Sequence, residues 1–414
     1  MTFQKRIASA IATGALVFNL ATPAFAATEI TINGNAQNTT NTANLTVVST
    51  NAVVQNNTAN VTNIVNSTSN TGGNSANGNN GGNVTVTTGN AKDTVNVTNN
   101  LNKNVATVDC CPANGNTTVT ISNNGQNSTN NVGAAIVSNN TIVQNNKAHV
   151  DNIVTVNSTT GNNNANGNNG GSVTVSTGSA NVTATVTTVA NSNAAKIGGP
   201  GSGAGGSLNL TVTGNGQNST NNLNAAVVST NTVNQTNLAD ILNIVVADAS
   251  TGGNNANGNN GGDVTITTGN ATVDKSILNA VNFNWASLDC GCLLGKVDVK
   301  VGGNAQDSTN AINAALVGTQ LAFQTNAAWL LNLDVVNADT GNNASNGNNV
   351  GGAGDPTIHT GNSSTVDSVT NSGNVNVVGG PAPSPFPIPV GPGGSFTFTI
   401  NWAGFWAWVL GVGV

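Results

Sequence analysis

The feature that most constrains this chain is a register. Gln37, Gln126, Gln217 and Gln306 recur at spacings of 89, 91 and 89 residues, each inside an Asn-rich segment. A second Gln follows each by 18 residues, at Gln55, Gln144, Gln235 and Gln324. From there one pattern runs on, Gln55-x-Asn57-x-Ala59-x-Val61-x-Asn63 in the first copy. The later copies place Asn146 and Asn152, Asn237 and Asn243, and Asn326 and Asn332 at the same offsets. Thr-Gly pairs at Thr71, Thr160, Thr251 and Thr340 and Asn-Gly-Asn-Asn runs at Asn77, Asn166, Asn257 and Asn346 complete each unit. Self-similarity at a fixed long period implies one structural unit used four times, with neighbouring copies stacked.

The residues of the unit favour strands. Asn, Thr and Gly are poor helix formers, whereas Val, Ile and Thr suit a pleated surface. Runs of period two open the units, as in Ile30-Thr31-Ile32 and Val119-Thr120-Ile121, and Asn-Gly or Gly-Gly pairs supply turns. The position held by Asn60, His149, Asp240 and Trp329 varies freely and is expected to face solvent; its neighbours Ala59 and Val61 stay small or aliphatic in every copy and are expected inside. With 3% aromatic residues and no Tyr, the chain lacks the bulk to fill a sandwich core about 10 Å thick. A narrow solenoid needs less, and stacked Asn and Gln satisfy one another as amide ladders.

The expectation is therefore an all-β protein, a right- or left-handed β-solenoid resembling a parallel β-helix. The 18-residue echo of Gln, and the 22 residues from Gln55 to Asn77, suggest rungs of that length. On this reading each unit holds about four rungs, and the body is about 75–80 Å long at a strand spacing of about 4.8 Å. The ladder residues would be Gln37, Gln55, Asn57 and Asn63, with Gln126, Gln144, Asn146 and Asn152, Gln217, Gln235, Asn237 and Asn243, and Gln306, Gln324, Asn326 and Asn332 as their copies. Residues 27–118, 119–209, 210–298 and 299–380 form the four units. A Pro- and Gly-rich spacer, 381–394, leads to an apolar segment, 395–414.

Residues 1–26 read as a secretory leader, with Lys5 and Arg6, an apolar stretch and Ala24-Phe25-Ala26 in the right order. This implies a secreted or cell-surface protein. Cys110, Cys111, Cys290 and Cys292 are then expected to oxidise. Rungs of 18–22 residues would hold the two pairs about 40 Å apart, excluding a bridge between them. Local disulfides, free thiols and cross-links to another molecule stay open. The C-terminal stretch with Trp402, Phe405, Trp406 and Trp408 is too short for a spanning helix. It reads as a β-hairpin cap or an apolar anchor, and no transmembrane helix is expected in the mature chain.

Charge excludes further classes. With 9 Lys+Arg against 15 Asp+Glu, no nucleic-acid partner is expected, because phosphate contacts need clustered cations. Charged residues make up 6% of the chain and His occurs twice. No cluster of acids, nucleophiles or metal ligands emerges, so neither enzymatic activity nor a cofactor is expected.

The Gln-x-Asn-x-Ala spacing resembles the repeats of curlin-type bacterial surface fibres, over about a third of the chain. The resemblance implies a secreted, amide-laddered β-solenoid. It departs from the family where Asn57 stands in place of Gly and in the longer repeat. The expected role is a fibre, matrix or stalk component, with self-association or contact with a cell envelope or polysaccharide. The alternative is an adhesin that grips polysaccharide or another cell through its strand face.

Overall fold

Strand is the only regular structure among the described residues. The computed structural model describes residues 8–20, 28–108, 116–198, 207–288, 296–350 and 355–380. All lie in the compact unit Met1–Ala382; the second unit, Pro383–Val414, lies outside them. So do Cys110, Cys111, Cys290 and Cys292, and Trp402, Phe405, Trp406 and Trp408.

Each sequence unit makes one coil built on four strands, and the third and fourth coils add a two-residue pair, Asn260–Gly261 with Asn349–Val350. A short entry strand (Thr28–Asn33, Thr117–Ser122, Ser207–Thr213, Lys296–Gly302) turns into a long strand (Thr40–Gly72, Thr129–Gly161, Thr220–Gly252, Thr309–Asp339). After a corner comes a brief strand (Val84–Thr87, Val173–Ser176, Val264–Thr267, Thr357–His359) and then a return strand (Ala91–Val108, Ala180–Ile197, Ala271–Leu288, Ser363–Val378). Like strands of successive coils pair in parallel, giving a long-strand sheet, an entry sheet and a corner sheet of four strands each. A fifth strand, Ala8–Leu20, extends the return sheet beyond the first coil, pairing Ala8 with Val97 and Leu20 with Val108. The molecule is a β-solenoid.

The rung is much longer than the Gln echo suggested. Gln55 pairs with Gln144, Gln144 with Gln235 and Gln235 with Gln324, so one coil takes the whole unit of about 89 residues. The two Gln residues 18 apart lie along the same coil and are not stacked. Parallel in-register pairing stacks equivalent positions of the repeat, which a one-unit shift achieves and an 18-residue shift does not. Four coils span only about 15–20 Å along the stack, whereas the 33-residue long strand has a contour of about 110 Å. The Cys geometry changes with it. Val108 and Leu288, which lead into the two Cys-bearing segments, flank Ile197 in one column. They stand two coils apart, about 10 Å, so the 40 Å separation and the exclusion built on it do not hold.

Corners follow from residues that tolerate a left-handed backbone. One column reads Gly34, Asn123, Gly214, Gly303 and another Gly73, Asn162, Gly253, Asn342, every one at positive φ. Gly pays no Cβ penalty there, and Asn is the side chain that visits the region most readily. The Gly72, Gly161, Gly252 column is tighter still: a Cβ on Gly161 would overlap the carbonyl of Gly252 in the next coil.

The long strands form one wall, and the entry and return strands form the other. Alternate residues point between the walls, in the alternation expected of strands. Ile121, Leu208 and Leu210 meet Val132 and Leu223 at one end. Ile142 and Val233 meet Val108 and Ile197 further along, and Val150 and Ile241 meet Ala190 and Val281. Ala59, Ala148 and Ala239 are buried, while Asn60 and Trp329 of the neighbouring column are exposed and His149 and Asp240 half-exposed. The expected inside and outside faces of this strand are the observed ones.

Candidate functional site

The described residues concentrate their polar chemistry between the two walls. Gln144 donates from Nε2 to Oε1 of Gln55 at 2.7 Å, Gln235 to Gln144 at 2.8 Å and Gln324 to Gln235 at 2.7 Å. The same Nε2 atoms also donate across the gap, to the carbonyls of Ala194, Trp285 and Val377. Each of these amide groups thus works along the stack and across it.

A second column climbs by zigzag. Asn57 donates to Asn104 at 2.8 Å, Asn104 to Asn146 at 2.9 Å, Asn146 to Asn193 at 2.8 Å and Asn193 to Asn237 at 2.9 Å. The chain goes on through Asn284 and Asn326 to Asn376. It crosses from wall to wall at every step and rises one coil every second step. All its amides point the same way, so the bonds polarise one another in a dry interior. Asn63, Asn152, Asn243 and Asn332 form a third column, with links of 2.8, 2.7 and 2.7 Å. Asn99 joins it from the return wall, accepting from Asn63 at 2.9 Å and donating to Asn152 at 3.0 Å. Asn102, Asn191, Asn282 and Asn374 all hold positive φ and ladder at 2.9–3.0 Å where the return strands kink.

The Gln37, Gln126, Gln217 and Gln306 column is different: it lies exposed at the turn before the long strand, with Gln37 donating to Gln126 at 3.3 Å. The buried ladder at that turn is Asn35, Asn124, Asn215 and Asn304, at 2.7–2.9 Å. The cross-wall partners Asn99, Asn104, Asn193 and Asn284 escaped the sequence reading, although the last three recur at spacings of 89 and 91 residues; Asn99 has Thr188 as its counterpart in the next coil.

Charge enters two inward columns: Asp93, which accepts from Ser67 Oγ at 2.8 Å, stands in the column of Val182 and Val273, and a larger cluster lies at the fourth coil. Where other coils carry Val65, Val154 and Val245, the fourth carries Asp334. On the facing wall the column reads Val95, Ala184, Lys275, Asp367. The Lys275 side chain is fully buried, and its Nζ pairs with Asp334 Oδ2 and, at 2.6 Å, with Asp367 Oδ1. The Lys275 ammonium, donating to it, holds the Asp334 carboxyl below the usual carboxylate range; partial burial pushes the other way and Asp367 adds to the lowering. Strand parity could have found this site. Lys275 stands between Val273 and Ile277, and Asp334 between Asn332 and Val336, at inward positions.

Outside, His149 Nδ1 lies 2.9 Å from Asp240 and Nε2 3.3 Å from Asp151, all three part-exposed. No group of three or more His, Cys, Asp or Glu among the described residues is placed to hold a metal ion. Among them, no helix is long and apolar enough to cross a membrane.

Fold and columns together define a parallel β-solenoid with an amide-laddered interior. Comparison with protein-family models, curated proteins and solved structures returns no match.

Proposed function

We propose that this chain is a structural component outside the cell, a fibre, matrix or stalk subunit that associates with further copies of itself. The observation behind this reading is the repetition of the amide ladders from coil to coil, ending, among the described residues, in unpaired strand edges. Among the described residues, the first coil leaves the edges of Thr28–Asn33, Thr40–Gly72 and Val84–Thr87 without a paired strand, and the fourth leaves those of Lys296–Gly302, Thr309–Asp339, Thr357–His359 and Ser363–Val378. Such edges are templates for another chain. Export with cleavage after Ala26 takes away the Ala8–Leu20 strand and opens the return sheet of the first coil as well. The resemblance of the Gln-x-Asn-x-Ala spacing to curlin-type fibres points the same way. Electron microscopy and X-ray diffraction of the purified mature chain test this: assemblies with a reflection near 4.8 Å support it, and a protein that stays monomeric at high concentration sinks it.

A second reading, an adhesin for polysaccharide, rests on the outer face of the long-strand sheet. Trp329 is 68% exposed and Phe323 54%, and flat aromatic faces suit sugar rings. Retention on glycan beads that disappears in Trp329→Ala supports this reading. A monomer that the beads fail to retain counts against it.

A further inference from the structure

Lys275, Asp334 and Asp367 form the one place among the described residues where a fully buried ammonium meets two carboxylates. Burying such charges is costly, and a buried pair is often no better than apolar residues of the same size. The columns show that apolar residues fit here, since the preceding coils hold Val245 and Ala184. Two carboxylates also share one ammonium, and Nζ lies within hydrogen-bonding reach of both. The ingredients are an amine nucleophile shielded from water, a carbonyl carbon beside it and a second carboxyl to carry protons. Held in contact, such groups react as though at very high concentration, and proton carriage by a placed carboxyl is ordinary acid–base catalysis.

The geometry points to a self-formed amide cross-link between Lys275 Nζ and Asp334 Cγ, with Asp367 as the proton carrier. The ammonium gives a proton to the carboxylate, and the neutral Nζ attacks Cγ of the Asp334 carboxylic acid. Asp367 takes the second proton from Nζ and delivers it to the departing hydroxyl. One C–N bond forms, one C–O bond breaks and one water leaves; nothing is oxidised or reduced. Asp334 is assigned as the acyl partner because its side chain is the less exposed carboxylate, 26% against 44% for Asp367. The product neutralises the buried ammonium together with the partly exposed Asp334 carboxylate. It also ties the return wall of the third coil covalently to the long-strand wall of the fourth, holding the end coil against peeling. This inference stands apart from the fibre and adhesin readings and survives the failure of either.

The test is a denaturing proteolytic digest of the purified full-length chain, read by mass spectrometry. The expected result is a branched peptide joining Lys275 to Asp334, lighter than its two linear parents by one water. Recovery of Lys275 and Asp334 in separate linear peptides overturns the proposal, as does a branch at Asp367. In Asp367→Asn the branch is expected to be lost while both parent peptides appear; a branch formed as completely as in the unaltered chain removes Asp367 from the step. Lys275→Met serves as the control that cannot link. The unaltered chain decides the main question whether or not either variant folds.

Discussion

The amide zigzag and the charged column occupy the same gap between the same two walls, yet they follow opposite rules. The zigzag repeats in every coil, from Asn57 and Asn104 to Asn326 and Asn376. The charged column changes from Val65 and Val95 to Asp334 and Asp367 on the way up. A uniform column rewards stacking of any coil on any other, because each new layer makes the same bonds. It cannot distinguish the right neighbour from a coil displaced by one. A column with Lys275 in the third coil and carboxylates in the fourth does distinguish them, because a slipped coil would set the ammonium against Val or Ala. Uniform columns thus supply cohesion, and the odd column supplies order.

The largest effect is expected from breaking the uniform column at its centre. Asn193 is fully buried and accepts from Asn104 and Asn146 while donating to Asn237 and Asn284. Asn193→Leu keeps the size and leaves those amides short of partners in a dry gap. Each unmet buried group costs about 1–3 kcal/mol, and the expected loss is about 3–5 kcal/mol in denaturant-midpoint stability. A loss under about 1 kcal/mol would mean that the zigzag contributes little.

The odd column should respond less, and in a telling way. Lys275→Met removes the cation, and any bond it makes, and leaves two carboxylates facing each other. Because both are partly exposed, the expected loss is about 1–3 kcal/mol, below the figure for a wholly buried pair. Replacing all three, Lys275→Ala with Asp334→Val and Asp367→Val, restores the residue types of the earlier coils. That variant is expected to be as stable as the unaltered chain or more so, while hydrogen exchange in the fourth coil becomes heterogeneous as order is lost. Uniform, single-population exchange in the triple variant would remove the ordering role.

A pH series separates the ion pair from the cross-link. Asp367→Asn keeps Lys275 beside Asp334 but takes away the proton carrier, so Asp334 remains a free carboxyl. Lys275 holds its folded value below the ordinary one, so its stabilising contribution is complete above the unfolded value of about 3.9. It fades as pH falls through the lower, folded value. The unaltered chain, with Asp334 consumed in an amide, should lack that acid-side loss at this site. Parallel denaturation curves for the two proteins from neutral pH to strong acid would contradict the cross-link and the pair's contribution together.

How much of this was readable in the residues depends on parity and identity. Comparison of the four copies placed Ala59 inside and Asn60 outside, and the 89-residue recurrence located the ladder at Gln55, Asn57 and Asn63. The coil length was misread because Gln37 and Gln55 imitate a stacked pair while lying on one path round the coil. Stacking matches whole stretches, and Thr40 to Gly72 pairs residue for residue with Thr129 to Gly161, 89 positions on. Links between walls, such as Asn57 to Asn104 or Lys275 to Asp334, depend on how far the return strand slides along the long one. Corner and loop lengths set that slide, and no local pattern reports it.

The smallest effect should come from the outer surface, and it tests whether order is set only inside. His149 and Asp240 touch at 2.9 Å across adjacent coils, with both side chains 41% exposed. That is a cross-coil polar contact, as are those of Lys275, but solvated. Even a full ion pair at so exposed a place is worth only about 0–1 kcal/mol and is screened by salt. Asp240→Asn should therefore move the denaturation midpoint by less than about 0.5 kcal/mol, with no change in the uniformity of exchange in the second and third coils. A larger shift, or coil heterogeneity like that expected of the inner triple variant, would show that outward columns also choose their neighbours. The free variation at Asn60, His149, Asp240 and Trp329 argues against this: four unrelated side chains occupy one column while the backbone beneath them keeps a single register.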